Sequence, residues 1–236
     1  MKTALWQAIK EALAGEISAG HYAPGSKMPS EAELSRRFGV NRHTVRQALA
    51  ALASDGLVRA RRGAGVFVTP PAIEYALGVR PRFHHQIAAG GKVPGRRFSR
   101  LETRGADARE AERLGLSAAG AMVHVVEGVS LIDASPVSFF RSLFDAQRFK
   151  GLCERLPQTG SITAALAEEG LSDYTRASTK LSAENANATM ALALETHEGA
   201  ALLHSIAVNI DAEGCVVEYG EAWFVGERVM LTVQGG

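Results

Sequence analysis

Two arginines stand one helical turn apart in the run Asn41-Arg42-His43-Thr44-Val45-Arg46, directly behind a residue type that opens helices. A guanidinium is a planar fork of N–H donors, and one fork satisfies the O6 and N7 acceptors of a guanine edge or two phosphate oxygens. Arg42 and Arg46 would present two forks on one helix face, with Asn41 beside them and His43 and Thr44 placed for phosphate or backbone contacts. A second set of chemically able residues lies further along the chain. Ser161 opens a helical segment whose free backbone N–H groups and dipole favour an oxyanion. Arg141 interrupts the apolar run VSFFRSLF, where a guanidinium is costly unless it is exposed, paired or met by an anion. Tyr174 and Arg176 in DYTRAS, and Tyr219 and Glu221 in VEYGEAW, are polar groups at strand positions. They either line a cleft with the first two or pair across exposed strand faces.

The elements that must hold these groups follow from spacing. Leu5, Ile9, Leu13 and Ile17 recur every four residues and line one face of a first helix, which Gly20 ends. Pro24, Gly25 and Pro29 force an extended, turning segment, and Ser30 caps a second helix from Glu31 to Phe38 through a capping box with Glu33. Gly39 closes that helix and Asn41 caps a third. There Val45, Leu49 and Leu52 form the buried stripe that turns Arg42, His43 and Arg46 outward. Gly56 stops the third helix, and LVRAR and GVFV, pinched by Gly63, Ala64 and Gly65, read as a two-stranded wing. Residues 1–69 thus make a winged helix-turn-helix, and Pro70 with Pro71 holds the chain extended, so 70–78 is expected to be a linker.

Residues 79–236 change character. Val123 to Ile132, Val137 to Phe144, Leu202 to Ile210 and Val216 to Phe224 are strand-like, joined in pairs by the turn signals DASP and DAEG. Ala106 to Leu116, Ser161 to Glu169 and Glu184 to Leu194 read as helices, so the second domain is α+β with an antiparallel sheet.

Charge separates the two parts. Residues 1–70 hold ten Lys or Arg against five Asp or Glu, a net +5; the remainder holds sixteen against twenty, a net −4, which gives the total of +1. A basic end on a nearly neutral chain points to a polyanion bound by that end alone, not to a protein that coats nucleic acid along its whole surface. The start, MKTALWQAIKEALAGE, carries Lys10 and Glu11 where a signal peptide needs an unbroken apolar run, so a cytoplasmic location is expected. Cys153 and Cys215 lie far apart with no Cys/His cluster, which predicts two packing residues and neither disulfide nor metal site. No nucleophile elbow, HExxH, P-loop or GxGxxG is present, so neither an enzyme nor a cofactor is expected.

The run PSEAELSRRFGVNRHTVRQALAALASDGLVRARRGAGVFV resembles the DNA-binding domain of the GntR family over its whole length. The resemblance implies that Asn41, Arg42 and Arg46 meet bases or phosphates of operator DNA, and that Arg62 with Gly63 enters the minor groove from the wing. Ala32 stands where many members carry Arg, which removes one contact. RPRFHHQIAAGGKVP and the order of elements resemble the effector domain of the HutC subfamily, a chorismate-lyase-like (UTRA) fold without the lyase activity. RPRF, GSITAALAEEG, DYTRASTKLSA and VEYGEAWFVGERVMLTV are most similar to the PhnF group, regulators of phosphonate metabolism. What this implies is a homodimeric repressor on an inverted repeat, controlled by a small anionic effector that touches His84, Arg141, Ser161, Tyr174, Arg176, Tyr219 and Glu221. Other members sense amino-sugar phosphates or histidine catabolites. His84, where relatives carry Ser or Thr, and Gly128 and Ser130, where amino-sugar-phosphate sensors carry Arg, argue against the first of these.

Overall fold

The computed structural model describes residues 4–61, 63–80, 83–117 and 120–233. The chain divides into two compact units, Met1–Pro71 and Ala72–Gly236. In the first, α1 (Leu5–Ser18), α2 (Glu31–Phe38) and α3 (Arg42–Ser54) precede a hairpin of β1 (Val58–Arg61) and β2 (Gly65–Val68). Of the periodic residues, Ile9, Leu13, Val45, Leu49 and Leu52 are buried in the core together with Met28, Leu34, Val58 and Val68, Ile17 packs against it partly buried, and Leu5 is exposed. The capping box forms, Glu33 N–H donating to Ser30 Oγ at 3.3 Å and Ser30 N–H to a Glu33 carboxylate oxygen at 2.7 Å. Gly39 takes a left-handed φ of 64° behind α2, a conformation that costs a residue with a Cβ.

The second unit runs β3 (Ile73–Ala76), α4 (Phe83–Ala89), β4 (Pro94–Gly105), α5 (Ala108–Leu114), β5 (Met122–Ile132) and β6 (Ser135–Asp145). It continues through α6 (Leu152–Thr159), α7 (Ile162–Glu168), β7 (Thr175–Asn185), α8 (Ala188–Ala193), β8 (Ala201–Ile210), β9 (Val216–Val225) and β10 (Val229–Thr232). Six strands form one antiparallel sheet in the order β4-β5-β6-β9-β8-β7. Because side chains alternate along each strand, the sheet has two different faces to cover. On one, Val126, Phe140 and Phe144 pack under Leu152 and Leu156 of α6 and Ile162 and Leu166 of α7. On the other, Leu114 of α5 covers Val123, Val125 and Leu143, and Ala191 of α8 covers Trp223 and Val225.

Three expectations change. Four residues of the segment expected as linker are a strand: β3 pairs in parallel with β10, Ile73 opposite Val229 and Ala76 opposite Thr232, and Tyr75 is buried against Phe83 and Phe224. Two prolines forbid helix, but they do not prevent the next residues from adding to an edge. The helix expected over 184–194 shrinks to α8, because Glu184 and Asn185 finish β7 and Asn187 is the cap, its side chain accepting from Met190 N–H. Cys215 is exposed and not packed, whereas Cys153 is half-buried beside His124.

Strands β4 and β7 carry too little apolar alternation to stand out in the sequence, and they form the two sheet edges. β4 is placed by Gly128 of β5. A Cβ there would lie 2.4 Å from the Arg97 carbonyl oxygen and 2.9 Å from Phe98 Cα, beside the bulge between Phe98 and Arg100. Gly128→Ala should therefore push β4 aside and destabilise this unit by ~1 to 3 kcal/mol, the ordinary cost of overpacking. Gly95→Ala, whose Cβ would sit at an ordinary 3.5 Å from Leu131, is the control. Denaturant midpoints of the two variants check this; equal midpoints would mean that Gly128 does not set the strand's position.

Candidate functional site

The first candidate surface is the start of α3. Asn41 caps it, its Oδ1 accepting from Thr44 N–H at 2.8 Å and Thr44 Oγ1–H at 3.0 Å, which leaves the Asn41 amide N–H groups free to face outward. Arg42, His43 and Arg46 are all exposed. The first turn of α3 holds no acidic residue, although the positive end of the helix dipole favours one. The free N–H groups and positive dipole end of a helix start attract an anion, and cations placed there add to that attraction. Arg46 already has a counter-charge, donating to Glu31 through Nε at 3.0 Å and Nη2 at 2.8 Å. With the Arg46 side chain 68 % exposed, this ion pair is weak enough to exchange for another acceptor. In the wing, Gly63 has φ 74° and Gly65 φ 112°, and a Cβ on Gly65 would strike the Lys27 side chain at 2.8 Å. Arg62 lies outside the described residues.

The second candidate is a cavity of about 100 Å³ in the sheet unit. It exists because the sheet face beneath it is paved with small side chains: Ser130, Ser138, Ser142, Ser205, Ala207 and Gly220 leave space that Phe or Leu would fill. Tyr75 and Leu77 from β3 and its end, Phe83 and His84 of α4, and Ser161 and Thr163 at the start of α7 make the walls. Of the residues expected to meet an effector, His84, Ser161, Tyr174 and Arg176 come together here. Ser161 Oγ is occupied as the cap of the short α7, accepting from Ala164 N–H at 3.3 Å. Burial first, then the charge of Arg96, holds the His84 imidazole below its usual pKa. Tyr174 hydrogen-bonds Thr163 at 3.0 Å, and burial pushes its phenol up to about 12.

Arg141 and Tyr219 do not belong to this group. Both sit on the opposite sheet face, where strand alternation puts them, around a separate depression with Asp107, Arg109 and Arg113. The expected choice for Arg141, exposure or an anion, is resolved by protein carboxylates: Nη2 lies 3.1 Å from Glu110 and Nε 3.4 Å from Glu127, its neighbour across the ladder. Tyr219 lies under the Arg113 guanidinium at 4.5 Å and donates to Glu221 at 3.3 Å. Glu221 borders the cavity, yet its carboxylate is turned toward Tyr219 and Arg113.

Sequence reasoning missed the cavity's most demanding residue. Arg96 comes from the polar run GRRFSR and presents its guanidinium 4.6 Å from the Phe140 ring and 5.7 Å from that of Phe83. Its Nε is closed to solvent without an acceptor, and so are Nε and Nη1 of Arg176. Among the described residues neither arginine forms an ion pair. Burial pulls the pKa of Arg96 down, against the attraction of Glu218, Tyr174 and Tyr75. Glu218 and Asn209, also missed, are buried in the same cavity. Only the alternation of VVEYGEAW hinted that one of its glutamates must point inward.

A winged helix with a cationic helix start, on one chain with a sheet unit that encloses a polar cavity, defines a transcription regulator that joins DNA binding to a sensory domain. This chain belongs to the GntR family: residues 5–68 match the bacterial regulatory proteins of that family, and residues 89–230 match the UTRA domain. It is 36% identical, over 99% of its length and 96% of the relative's, to an HTH-type transcriptional regulator, RB1450, of Rhizobium meliloti. It is 28% identical to the probable transcriptional regulator PhnF of Escherichia coli, over 91% of this chain and 88% of that one. The crystal structure of PhnF from Mycobacterium smegmatis superposes with a TM-score of 0.65 at 26% identity, covering 99% of both chains. These relatives are regulators of the GntR/HutC type and not enzymes, and the fold is theirs. Among the described residues no helix is long and apolar enough to cross a membrane.

The charge cluster on the second face yields a stability prediction. The Arg104 guanidinium, bidentate at 2.7 Å, holds the Glu110 pKa at about 2, with help from the Asp107 backbone and Arg141. A carboxylate whose folded pKa lies below its unfolded value contributes stability that is complete above the unfolded value, near 4.5, and lost as pH falls toward 2. Glu110→Gln should lower stability at neutral pH and flatten its decline between about pH 5 and pH 2. Denaturant titrations at several pH values test this, and an unchanged slope would exclude Glu110 as a source of acid sensitivity.

Proposed function

We propose that this chain represses transcription as a homodimer on an inverted-repeat operator, and that a small anion, a phosphonate or phosphate-like metabolite of phosphonate metabolism, releases it. The observation that carries the sensory half is the pair Arg96 and Arg176: guanidinium N–H groups closed to water, turned into one cavity and, among the described residues, ion-paired with no carboxylate. Buried donors of this kind are costly alone and are satisfied by an oxyanion with charge-assisted hydrogen bonds. His84, Ser161 and Tyr174 complete the contacts, and Arg96 takes the part that Arg141 was expected to play. Likeness to the PhnF proteins supports a phosphonate-type head group over other acids.

On the DNA side, Arg42 and Arg46 read base edges, Asn41, His43 and Thr44 hold phosphate or backbone, and Arg62 with Gly63 enters the minor groove. One winged helix buries too little surface for tight, specific binding, and twofold proteins read palindromes, hence the dimer. The cavity is joined to this unit along the chain: Tyr75 and Leu77, both in its wall, follow Pro70 and Pro71 within a few residues. An anion that favours one arrangement of β3 over another shifts the operator-binding population by that difference, and only by that.

Calorimetry of the full chain with alkylphosphonates and phosphate esters is the test. Arg96→Ala should weaken binding by about ten-fold or more, the loss expected for a charge-assisted hydrogen bond, while Arg141→Ala leaves it unchanged. No binding by any of these anions, or the opposite ranking of the two variants, would overturn the reading. Arg42→Ala should cost ~1 to 3 kcal/mol of operator affinity at fixed salt and relax sequence preference. Glu31→Gln, which frees Arg46, should strengthen binding to any duplex. Operator titrations check both, and sedimentation showing a monomer that still binds the operator fully would remove the dimer.

A further inference from the structure

The cavity is not uniformly basic. Glu218 lies in its lining, buried, with Ser142 Oγ–H donating to Oε1 at 2.6 Å and Asn209 Nδ2–H donating to Oε2 at 2.7 Å. Among the described residues it forms no ion pair: the guanidiniums of Arg96 and Arg176 face the same space without reaching it. Asn209 adds a second acceptor. Its Nδ2 is committed to Glu218, since the reversed amide would set two oxygens face to face, and the remaining Oδ1 is sealed from solvent with no donor. One small cavity therefore contains donors without acceptors, Arg96 Nε and Arg176 Nε and Nη1, an acceptor without a donor, Asn209 Oδ1, and a carboxylate that is hydrogen-bonded but has no cation paired with it.

A purely anionic ligand would satisfy the first set and worsen the second, because it brings a negative charge into a small space beside Glu218. A ligand that also carries N–H donors and positive charge satisfies both. We propose, resting on the anionic reading above, that the cavity takes a small zwitterion. Its acid head group meets Arg96 and Arg176, and its protonated amine meets Glu218 and Asn209 Oδ1. The size agrees: about 100 Å³ holds on the order of seven water-sized groups, enough for an acid head, a two-carbon spacer and an amine.

The test is calorimetry of the full chain with 2-aminoethylphosphonate against ethylphosphonate, which differ only in the amine, and with β-alanine and taurine, which keep the amine and change the head. The expected result is that 2-aminoethylphosphonate binds about ten-fold or more tightly than ethylphosphonate. Glu218→Gln should reduce that preference from both directions, weakening the aminated ligand and strengthening ethylphosphonate. A structural role for Glu218 alone would move both ligands the same way. If Glu218→Gln does not fold, the comparison on the unsubstituted chain decides by itself. Binding of β-alanine or taurine without ethylphosphonate binding supports the amine requirement and reassigns the head group. Ethylphosphonate binding as tightly as its aminated analogue overturns this proposal and leaves the anionic reading standing, whereas no binding by any of the four overturns both.

Discussion

A guanidinium removed from water must be compensated by something, and in the sheet unit Arg96 is compensated by little: two aromatic rings and a carboxylate that it does not touch. That incomplete compensation organises the domain. It needs the small-residue floor, since larger side chains at Ser138 or Ser142 would take the space into which the charge points. It needs the bulged edge strand held close over Gly128, because the backbone of β4 sets where the side chain starts. It also needs α4, whose Phe83 ring closes one side and whose His84 has its pKa lowered by burial first and then by the same charge. Away from the cavity the unit pairs its charges closely, Arg104 and Arg141 with Glu110 being the clearest case.

The two faces of the sheet illustrate how one arginine serves recognition and another serves stability. Arg96 and Arg141 are the same residue type on neighbouring parts of one sheet, yet only one looks into the cavity. For Arg141, the register across β5 and the helix α5 supply Glu127 and Glu110 at ion-pairing distance. For Arg96, the cross-strand neighbours are serines, too short and uncharged to neutralise it. An ion pair that is already satisfied gains little from a ligand, and a charge left short of partners gains much. The winged helix follows a milder version of the same rule: its cations sit where the dipole of α3 disfavours them, but in water, so the penalty is small and easily exchanged.

β3 begins the sheet unit close behind the two prolines. Here the chain leaves Pro71 and enters the sheet unit's own structure almost at once, through backbone hydrogen bonds from Ile73 N–H to the Arg228 carbonyl and from Leu77 N–H to the Thr232 carbonyl. Tyr75 in between is packed against Phe83 and Phe224, so the wall of the cavity and the end of the connection are the same residues.

The winged helix was legible residue by residue, because each of its elements is announced locally. Ser30 and Asn41 are caps, Gly39 and Gly56 are stops, and Val45, Leu49 and Leu52 bury their own helix face within a short span of chain. The apolar strands β5, β6, β8 and β9 were legible for the same reason; of the polar groups expected at an effector, His84, Ser161, Tyr174 and Arg176 line one cavity and Arg141 and Tyr219 do not. Beyond the sequence's reach lay everything that depends on which face a strand presents and what stands opposite. Edge strands β4 and β7 are polar because solvent covers much of them, so Arg96 looked like one more surface charge. Arg141 looked like the exceptional one, since the carboxylates that neutralise it come from residues 14 and 31 positions away. Period-two alternation states that neighbours point opposite ways, but only the folded sheet, with its register and its packed helices, decides which way is in.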